Sequence, residues 1–152
     1  MTGNGNEGDM STTQPNDRDE IVQLMHRYCR ALDYGLHDEW RNVFTTDAVY
    51  ITNLPDGSVY ARLTTPKEFA DFLDAYPRAP AAFPKHVTIN PVVIVDGDRA
   101  TGDSGFLYLS GTADMSAIGI TAFGRYRDVF HNEGGHWRIA ERVCDTEATA
   151  GL

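Results

Sequence analysis

Hydrophobic residues near the start of the chain recur with the period of an α-helix. One stripe is formed by Ile21, Leu24, Met25, Tyr28 and Leu32, at i, i+3, i+4, i+7 and i+11. Since such a stripe lies on one face of a helix, it predicts a first helix that packs against a core. Asp17 or Asp19 can cap the start of this helix, and Gly35 is suited to end it.

Two more helices are expected in the first half of the chain. A short one should cover Asp38 to Phe44 and turn its apolar side chains inward. A capping box with proline at the first helical position is present in Thr65-Pro66-Lys67-Glu68, so a third helix should begin there. Its apolar face consists of Phe69, Phe72, Leu73 and Tyr76. Pro77 should end it.

The remaining segments have the composition of β-strands. Strands at 47–51 and 59–63 flank a turn of Pro55, Asp56 and Gly57 and should form a hairpin. Five further strands are predicted at 86–90, 92–95, 100–110, 117–130 and 137–143. Short turns between them imply antiparallel neighbours, so the prediction is an α+β fold with a curved antiparallel sheet packed on three N-terminal helices. Glycines within the long strands allow that sheet to bend into a cone-shaped barrel with an interior for a ligand.

The chain divides into one domain and two tails. Residues 1–17 are rich in Gly, Asn, Ser and Thr and lack periodicity, which is typical of a disordered tail. Residues 18–146 should form a single domain, and 147–152 a short C-terminal tail. A chain of 152 residues is long enough for one hydrophobic core.

Composition narrows the class of partner. A net charge of −9 argues against nucleic acid, because binding to phosphates depends on Lys and Arg. No apolar run approaches the roughly 18 residues of a membrane span, and the N-terminus lacks the features of a signal peptide. The two cysteines, Cys29 and Cys144, form neither a disulfide framework nor a metal motif. We therefore expect a cytoplasmic protein with no membrane or nucleic-acid partner.

Two polar residues are candidates for a functional site. Asp33 lies in the last turn of the first helix, where the helix dipole disfavours a carboxylate, so either it faces water or another interaction holds it. His86, Thr88 and Asn90 alternate on one strand and give it a polar face, which suits a cavity wall. His86 is equally consistent with a histidine whose hydrogen bonds are satisfied within the core.

Other polar residues give weaker signals. Arg142 alternates with Ala140 and Cys144 on the last strand, where it can clamp a carboxylate or carbonyl or simply face solvent. His131 and His136 flank a hairpin turn and have no Cys or acid at ligand spacing, so no metal site is predicted.

Several motifs together resemble a known family. They are MHRYCRALDYGLHDEWRNVFTTDAVY, His86, VDGDRAT, GRYRD and GGHWRIAERV, spread over Asp19 to Val143. This combination resembles the SnoaL-like branch of the nuclear transport factor 2-like superfamily. The resemblance implies the cystatin-like, cone-shaped α+β fold and a homo-oligomer, either a dimer or a trimer. It leaves the activity open, because the superfamily includes dehydratases, isomerases, cyclases, epoxide hydrolases, dioxygenase small subunits and binding proteins.

Tyr28, Asp33 and His86 match a catalytic set of one branch of that superfamily. The branch includes scytalone dehydratase, bile-acid 7α-dehydratase and hexachlorocyclohexane dehydrochlorinase, in which an Asp-His pair removes a proton without metal or cofactor. The resemblance implies a dehydratase-type lyase acting on a small, largely apolar cyclic hydroxy-carbonyl compound. Residues expected to bind the substrate are Tyr50, Asn90, Tyr108 and Arg142.

The alternatives differ in what the interior contains. Ketosteroid isomerases share the tyrosine matched by Tyr28, but their base is an aspartate on a strand that here contains no acid. The limonene epoxide hydrolase pattern needs an Asp-Arg-Asp arrangement, and Asp103, Arg125 and Asp128 cannot be placed together from the sequence. A non-catalytic ligand-binding or structural subunit of the same fold, or a polyketide cyclase-type or isomerase-type member, remains the second interpretation.

Overall fold

The computed structural model describes residues 16–78, 82–112, 114 and 116–150. The predicted disordered tail falls almost entirely outside these residues. The elements are α1 (Asp17–Tyr34), α2 (His37–Asn42), β1 (Phe44–Asn53), β2 (Val59–Leu63), α3 (Pro66–Ala75), β3 (Lys85–Asp96), β4 (Arg99–Gly111), β5 (Ile118–Glu133) and β6 (His136–Thr149). β6 therefore continues past the predicted domain boundary at residue 146.

The first helix follows its hydrophobic pattern. All five residues of the predicted stripe are buried in the core. The N-cap is Asn16, whose side chain accepts a hydrogen bond from the Asp19 backbone at 3.0 Å, rather than either predicted aspartate. Gly35 ends α1 in the left-handed conformation with φ of 63°, as predicted.

The other two helices differ in how well they were predicted. The capping box of α3 is present, with the Thr65 hydroxyl accepting from the Glu68 backbone and the Glu68 carboxylate accepting from the Thr65 backbone. α2 is shorter than predicted, because Phe44 already belongs to β1. Trp40 and Phe44 nevertheless both point into the core, where their rings pack at 5.1 Å.

The six strands form one curved sheet in the order β2-β1-β6-β5-β4-β3. The predicted α+β class, with three helices packed on a curved sheet, is confirmed. The sheet is mixed rather than wholly antiparallel, because β1 runs parallel to β6. This pairing does not involve strands that are adjacent in sequence, so turn lengths could not reveal it. The sheet is open, with β2 and β3 at its edges.

Two bulges change which side chains face the interior. β3 is a single strand where two were predicted, with a register shift between Ile89 and Val92. In β6 the partners step from Ile139 to Glu141, which leaves Ala140 as the extra residue. Each bulge inverts the alternation of side chains along its strand. Two residues on opposite sides of a bulge therefore face opposite ways when their residue numbers differ by an even number.

Gly124 allows β5 and β6 to approach closely. A Cβ atom at this position would collide with the carbonyl oxygen of Asp145 on the neighbouring strand and with the ring of Phe106. The absence of a side chain here is therefore a requirement of the sheet packing. Among the described residues, no helix has the combination of length and apolar character needed to cross a membrane.

Candidate active site

Asp33 and His86 form a buried pair, in which the carboxylate contacts both the ring and the backbone N–H of the histidine. His86 Nδ1 lies 2.6 Å from Asp33 Oδ1. The His86 backbone N–H also points to the same carboxylate, at 3.1 Å and 3.2 Å from its two oxygens. Only 8% of the His86 side chain and 4% of the Asp33 side chain is exposed. The alternative that Asp33 faces water is therefore wrong.

The fold explains why these two residues meet. Asp33 occupies the last turn of α1, and His86 is the second residue of β3, the edge strand against which α1 lies. An edge strand has backbone groups without a partner strand, so a carboxylate from the helix can accept a hydrogen bond from the His86 backbone N–H. One carboxylate thereby fixes both the strand start and the imidazole.

The hydrogen bonds determine the tautomer of His86. A carboxylate can only accept, so Nδ1 carries the hydrogen in the short contact to Asp33. In the neutral ring Nε2 is then an acceptor, and Tyr76 Oη lies 3.1 Å from it. Tyr76 therefore donates its hydroxyl hydrogen to His86.

Tyr76 is a site residue that the sequence did not reveal. It was placed on the apolar face of α3, and its ring does pack against Phe72 at 5.6 Å between centroids. Its hydroxyl, however, reaches His86. Burial, reinforced by the neighbouring phenols of Tyr108 and Tyr50, raises the pKa of Tyr76 well above its ordinary value. No feature of the helical pattern distinguishes this tyrosine from a core residue.

Tyr108 lies on the same wall as His86. The two residues are direct partners across β3 and β4, and their ring centroids are 4.8 Å apart. Tyr108 is half-buried, and partial burial raises its pKa. The structure thus places this predicted substrate-binding residue beside the predicted base.

Tyr28 lies deeper and bonds to a different partner. Its hydroxyl donates to the Tyr50 hydroxyl at 3.1 Å, and both side chains are buried. Burial raises the pKa of both phenols, that of Tyr50 to about 12. Among the described residues, the phenol that hydrogen-bonds the His86 ring is Tyr76, not Tyr28. The predicted trio is therefore split between two hydrogen-bonded groups.

Arg142 faces the interior, so the alternative that it faces solvent is wrong. It is fully buried and forms a two-pronged pair with Asp128, with both N–O distances at 2.7 Å. The guanidinium carbon also lies 4.1 Å and 4.2 Å from the ring centroids of Tyr28 and Tyr126. The Asp128 carboxylate holds the pKa of Arg142 well above its ordinary value, despite burial.

Asn90 does not share the facing of His86. It is exposed and has a positive φ of 50°, at the bulge of β3. The predicted polar face therefore ends at Thr88, whose hydroxyl lies 3.3 Å from the Cys29 sulfur on α1. Regular alternation would have placed Asn90 on the same wall, and the bulge is the reason that it is not.

The three described residues that were candidates for the epoxide hydrolase arrangement do not form it. Asp128 points inward to Arg142, whereas Arg125 and Asp103 are exposed and lie 3.9 Å apart. Odd and even positions of β5 face opposite sides of the sheet here, so these three groups cannot surround one water. No group of three or more His, Cys, Asp and Glu suited to a metal occurs in the part of the chain that the structure describes.

Aromatic rings occupy much of the space between the helices and the sheet. Neighbouring ring centroids lie 5.5 to 5.9 Å apart along the series Trp40, Phe72, Tyr50 and along the pair Phe72 and Tyr76. A cavity of about 330 Å³ borders the Asp33 and His86 pair between α1 and β3. It is lined by His26, Cys29, Arg30, Asp33, Tyr34, Lys85, His86, Val87 and Thr88.

Solved structures with the same fold include proteins of different roles. A provisionally assigned scytalone dehydratase from Novosphingobium aromaticivorans is 20% identical, with a TM-score of 0.71 over 88% of this chain and 85% of that one. The β subunit of benzoate 1,2-dioxygenase from Burkholderia mallei is 19% identical, with a TM-score of 0.70 over 88% and 91%. A protein of unknown function from Mycobacterium tuberculosis is 28% identical, with a TM-score of 0.69 over 88% and 71%.

These likenesses establish the fold but do not select one activity. No curated protein matches the chain. The model of the SnoaL-like domain matches residues 14–143, which include all three helices and five strands together with most of β6. The chain therefore belongs to the SnoaL-like domain family.

Proposed function

We propose that this protein is a cofactor-independent lyase that eliminates water from a small, largely apolar cyclic hydroxy-carbonyl compound. The observation that carries the proposal is the buried contact of 2.6 Å between Asp33 and His86. A surface ion pair contributes little and needs no such burial, whereas a base that works near neutral pH needs a fixed tautomer.

In the proposed reaction His86 accepts the proton removed from the carbon next to the carbonyl. Asp33 keeps the hydrogen on Nδ1 and stabilises the imidazolium that forms. The electron pair of the broken C–H bond forms the new double bond as the hydroxyl group leaves. The imidazolium then returns its proton to the leaving hydroxyl, which departs as water, so the elimination is balanced without a cofactor.

The Tyr28 and Tyr50 pair is suited to the carbonyl oxygen. Because Tyr28 donates to the Tyr50 hydroxyl, the hydrogen of Tyr50 is free to donate to another acceptor. A donor at that oxygen stabilises the negative charge that develops as the proton leaves. Burial raises the pKa of both phenols, so both remain hydrogen-bond donors at neutral pH. This assigns Tyr28 its role as a donor through Tyr50.

A non-catalytic role of the same fold is the second candidate. It is favoured by the aromatic packing of Trp40, Phe72 and Tyr50, whose rings fill this part of the interior. A structural subunit requires no open site next to His86. The two candidates differ in one respect: only the lyase requires an imidazole at position 86.

We also propose that the protein is a homo-oligomer formed through its sheet. The side of the sheet away from the helices exposes large apolar residues, including Val92 at 59%, Ile94 at 66% and Ile120 at 51%. A shallow cavity of about 410 Å³ on that face includes Val92 and Ile94. Exposed apolar side chains on one face of a sheet are characteristic of a face that a second subunit covers.

The activity is tested with cyclic β-hydroxy ketones of one and two fused rings, following the absorbance of the enone product. The proposal expects turnover by the unmodified protein and its loss in His86→Ala. His136→Ala is the matched control, because that imidazole is exposed at the start of β6. Turnover retained in His86→Ala, or no turnover of any compound by the unmodified protein, would contradict the proposal.

A further inference from the structure

The nitrogen of His86 that must accept a proton already accepts a hydrogen bond from the phenol of Tyr76. Nδ1 is held by Asp33, so only Nε2 has a lone pair in the neutral ring. Tyr76 Oη occupies that lone pair at 3.1 Å. A substrate carbon cannot reach the same lone pair while this bond exists.

The position of the Tyr76 phenol decides what a substrate meets on this side of His86. The Tyr76 hydroxyl lies at Nε2 of a ring that is only 8% exposed, next to an Asp33 side chain that is 4% exposed. As whole residues, Tyr76 and His86 are both half-buried, as are Phe72 and Tyr108. A substrate that approaches Nε2 therefore meets the phenol of Tyr76 before the imidazole.

The chemistry of Tyr76 limits how it can take part. Burial and the adjacent phenols of Tyr108 and Tyr50 raise its pKa, so the hydroxyl keeps its hydrogen at neutral pH. Its oxygen can accept a proton only if its own hydrogen leaves in the same step. His86 Nε2 lies where that hydrogen would go, along the existing hydrogen bond.

We propose that Tyr76 is a catalytic residue that relays the proton between the substrate and His86. As the C–H bond next to the carbonyl breaks, its proton passes to Tyr76 Oη while the Tyr76 hydrogen passes to His86 Nε2. The C–H electron pair forms the double bond, and the leaving hydroxyl takes a proton back along the same path and departs as water. This inference rests on the proposed lyase activity.

Two roles of Tyr76 predict different results for Tyr76→Phe: a proton relay, and a side chain that only blocks access to the imidazole. If Tyr76 only covers the imidazole and moves aside, removing its hydroxyl exposes Nε2 and preserves or raises the rate. If Tyr76 carries the proton, the same change removes the group that passes it to Nε2. General acid–base groups typically contribute 10²- to 10⁴-fold, so the relay predicts a loss of kcat of about 100-fold or more.

The decisive experiment compares kcat and KM of Tyr76→Phe, His86→Ala and the unmodified protein with cyclic β-hydroxy ketones. Tyr60→Phe is the matched control, because its phenol is 67% exposed on β2. A similar loss of kcat in the first two variants, with KM little changed in Tyr76→Phe, supports the relay. Full activity in Tyr76→Phe with loss in His86→Ala overturns the relay and leaves the lyase intact. Full activity in His86→Ala overturns both.

A measurement on the unmodified protein removes any dependence on the folding of the variants. Release of label from an α-tritiated cyclic ketone without a leaving group reports cleavage of the carbon–hydrogen bond alone, and its rate is measured in mixtures of H₂O and D₂O. The Tyr76 hydroxyl hydrogen exchanges with solvent, so the relay moves one exchangeable hydrogen in this step, whereas direct transfer to His86 moves none. A rate that falls linearly with deuterium fraction supports the relay, and a rate that does not depend on deuterium fraction overturns it.

Discussion

The Asp33 carboxylate accepts hydrogen bonds from both the ring and the backbone N–H of His86, so one carboxylate fixes the position and the tautomer of the imidazole. The backbone bond ties the start of β3 to the end of α1. The ring bond determines that Nε2, and not Nδ1, has the lone pair that accepts a proton. A structural ion pair would need only one of these contacts.

Asp33→Asn tests the ring contact with little change in shape. An amide can still accept from the His86 backbone, but its NH₂ group can also donate to Nδ1, which would place the hydrogen on Nε2. We expect kcat with cyclic β-hydroxy ketones to fall by about 100-fold or more, the scale of a general base. Asp47→Asn, at an exposed carboxylate on β1, is the control. Equal activity of both variants would exclude tautomer control by Asp33.

Asp128→Leu tests the buried pair of Asp128 and Arg142. Since removing one partner leaves an unpaired charge in the core, we expect the free energy of unfolding to fall by about 3 to 5 kcal/mol. Adding Arg142→Met to the same chain should recover much of this loss. Urea denaturation measures both effects.

The control for this pair is an ion pair on the exposed side of the same strands. Arg127 lies 2.8 Å from Asp145, with half of its side chain exposed. Arg127→Met should lower the free energy of unfolding by less than about 1 kcal/mol. If Asp128→Leu cost no more than Arg127→Met, the buried pair would not be a major determinant of stability.

Alkaline pH should destabilise the fold through its buried phenols. Five tyrosines have raised pKa values because of burial; they are Tyr28, Tyr50, Tyr76, Tyr108 and Tyr126. Below pH 10 these phenols are protonated in both states, so their contribution to stability is fully present. Above pH 10 the unfolded chain releases protons that the folded protein keeps, so stability falls as pH rises through the folded pKa values.

For Tyr50 alone the shift from 10 to about 12 corresponds to a loss of about 3 kcal/mol once pH exceeds the higher value. Denaturation between pH 8 and 11 checks the direction, and absorbance at the tyrosinate band reports ionisation. Tyr50→Phe should reduce the slope above pH 10. A free energy of unfolding that stayed constant to pH 11 would contradict burial of these hydroxyls.

The outer face of the sheet should hold a second copy of the chain. Val92→Lys combined with Ile94→Lys places two charges on that face and should convert the oligomer to a monomer, as measured by light scattering. Tyr60→Lys, on the opposite edge strand β2, should leave the assembly unchanged. A monomeric unmodified protein, or a double variant that still assembles, would contradict this interface.

Local patterns in the sequence were sufficient for most of the elements. The stripe of α1, the αL end at Gly35 and the capping box of α3 depend on residues within a few positions of one another, and each is present. Asp33 and His86 are 53 positions apart, and they were associated through the family resemblance, not through any local pattern. Their contact depends on the packing of α1 against the edge of the sheet.

The side chains that were misplaced follow from non-local features. A bulge at Ala140 turns Arg142 to the interior and Glu141 to the outside, although Ile139 also faces inward. The bulge in β3 likewise removes Asn90 from the polar wall. A bulge is a property of strand pairing and leaves no reliable mark in the alternation of residues. Tyr76 was missed because its hydroxyl meets a residue of another element.

The most direct test of the central claim is exchange of the proton next to a carbonyl for deuterium. A cyclic ketone without a leaving group isolates this step, and NMR in D₂O follows the loss of its α-proton signal. We expect the unmodified protein to accelerate this exchange and His86→Gln not to accelerate it. Equal exchange rates with the two proteins would contradict the assignment of His86 as the base.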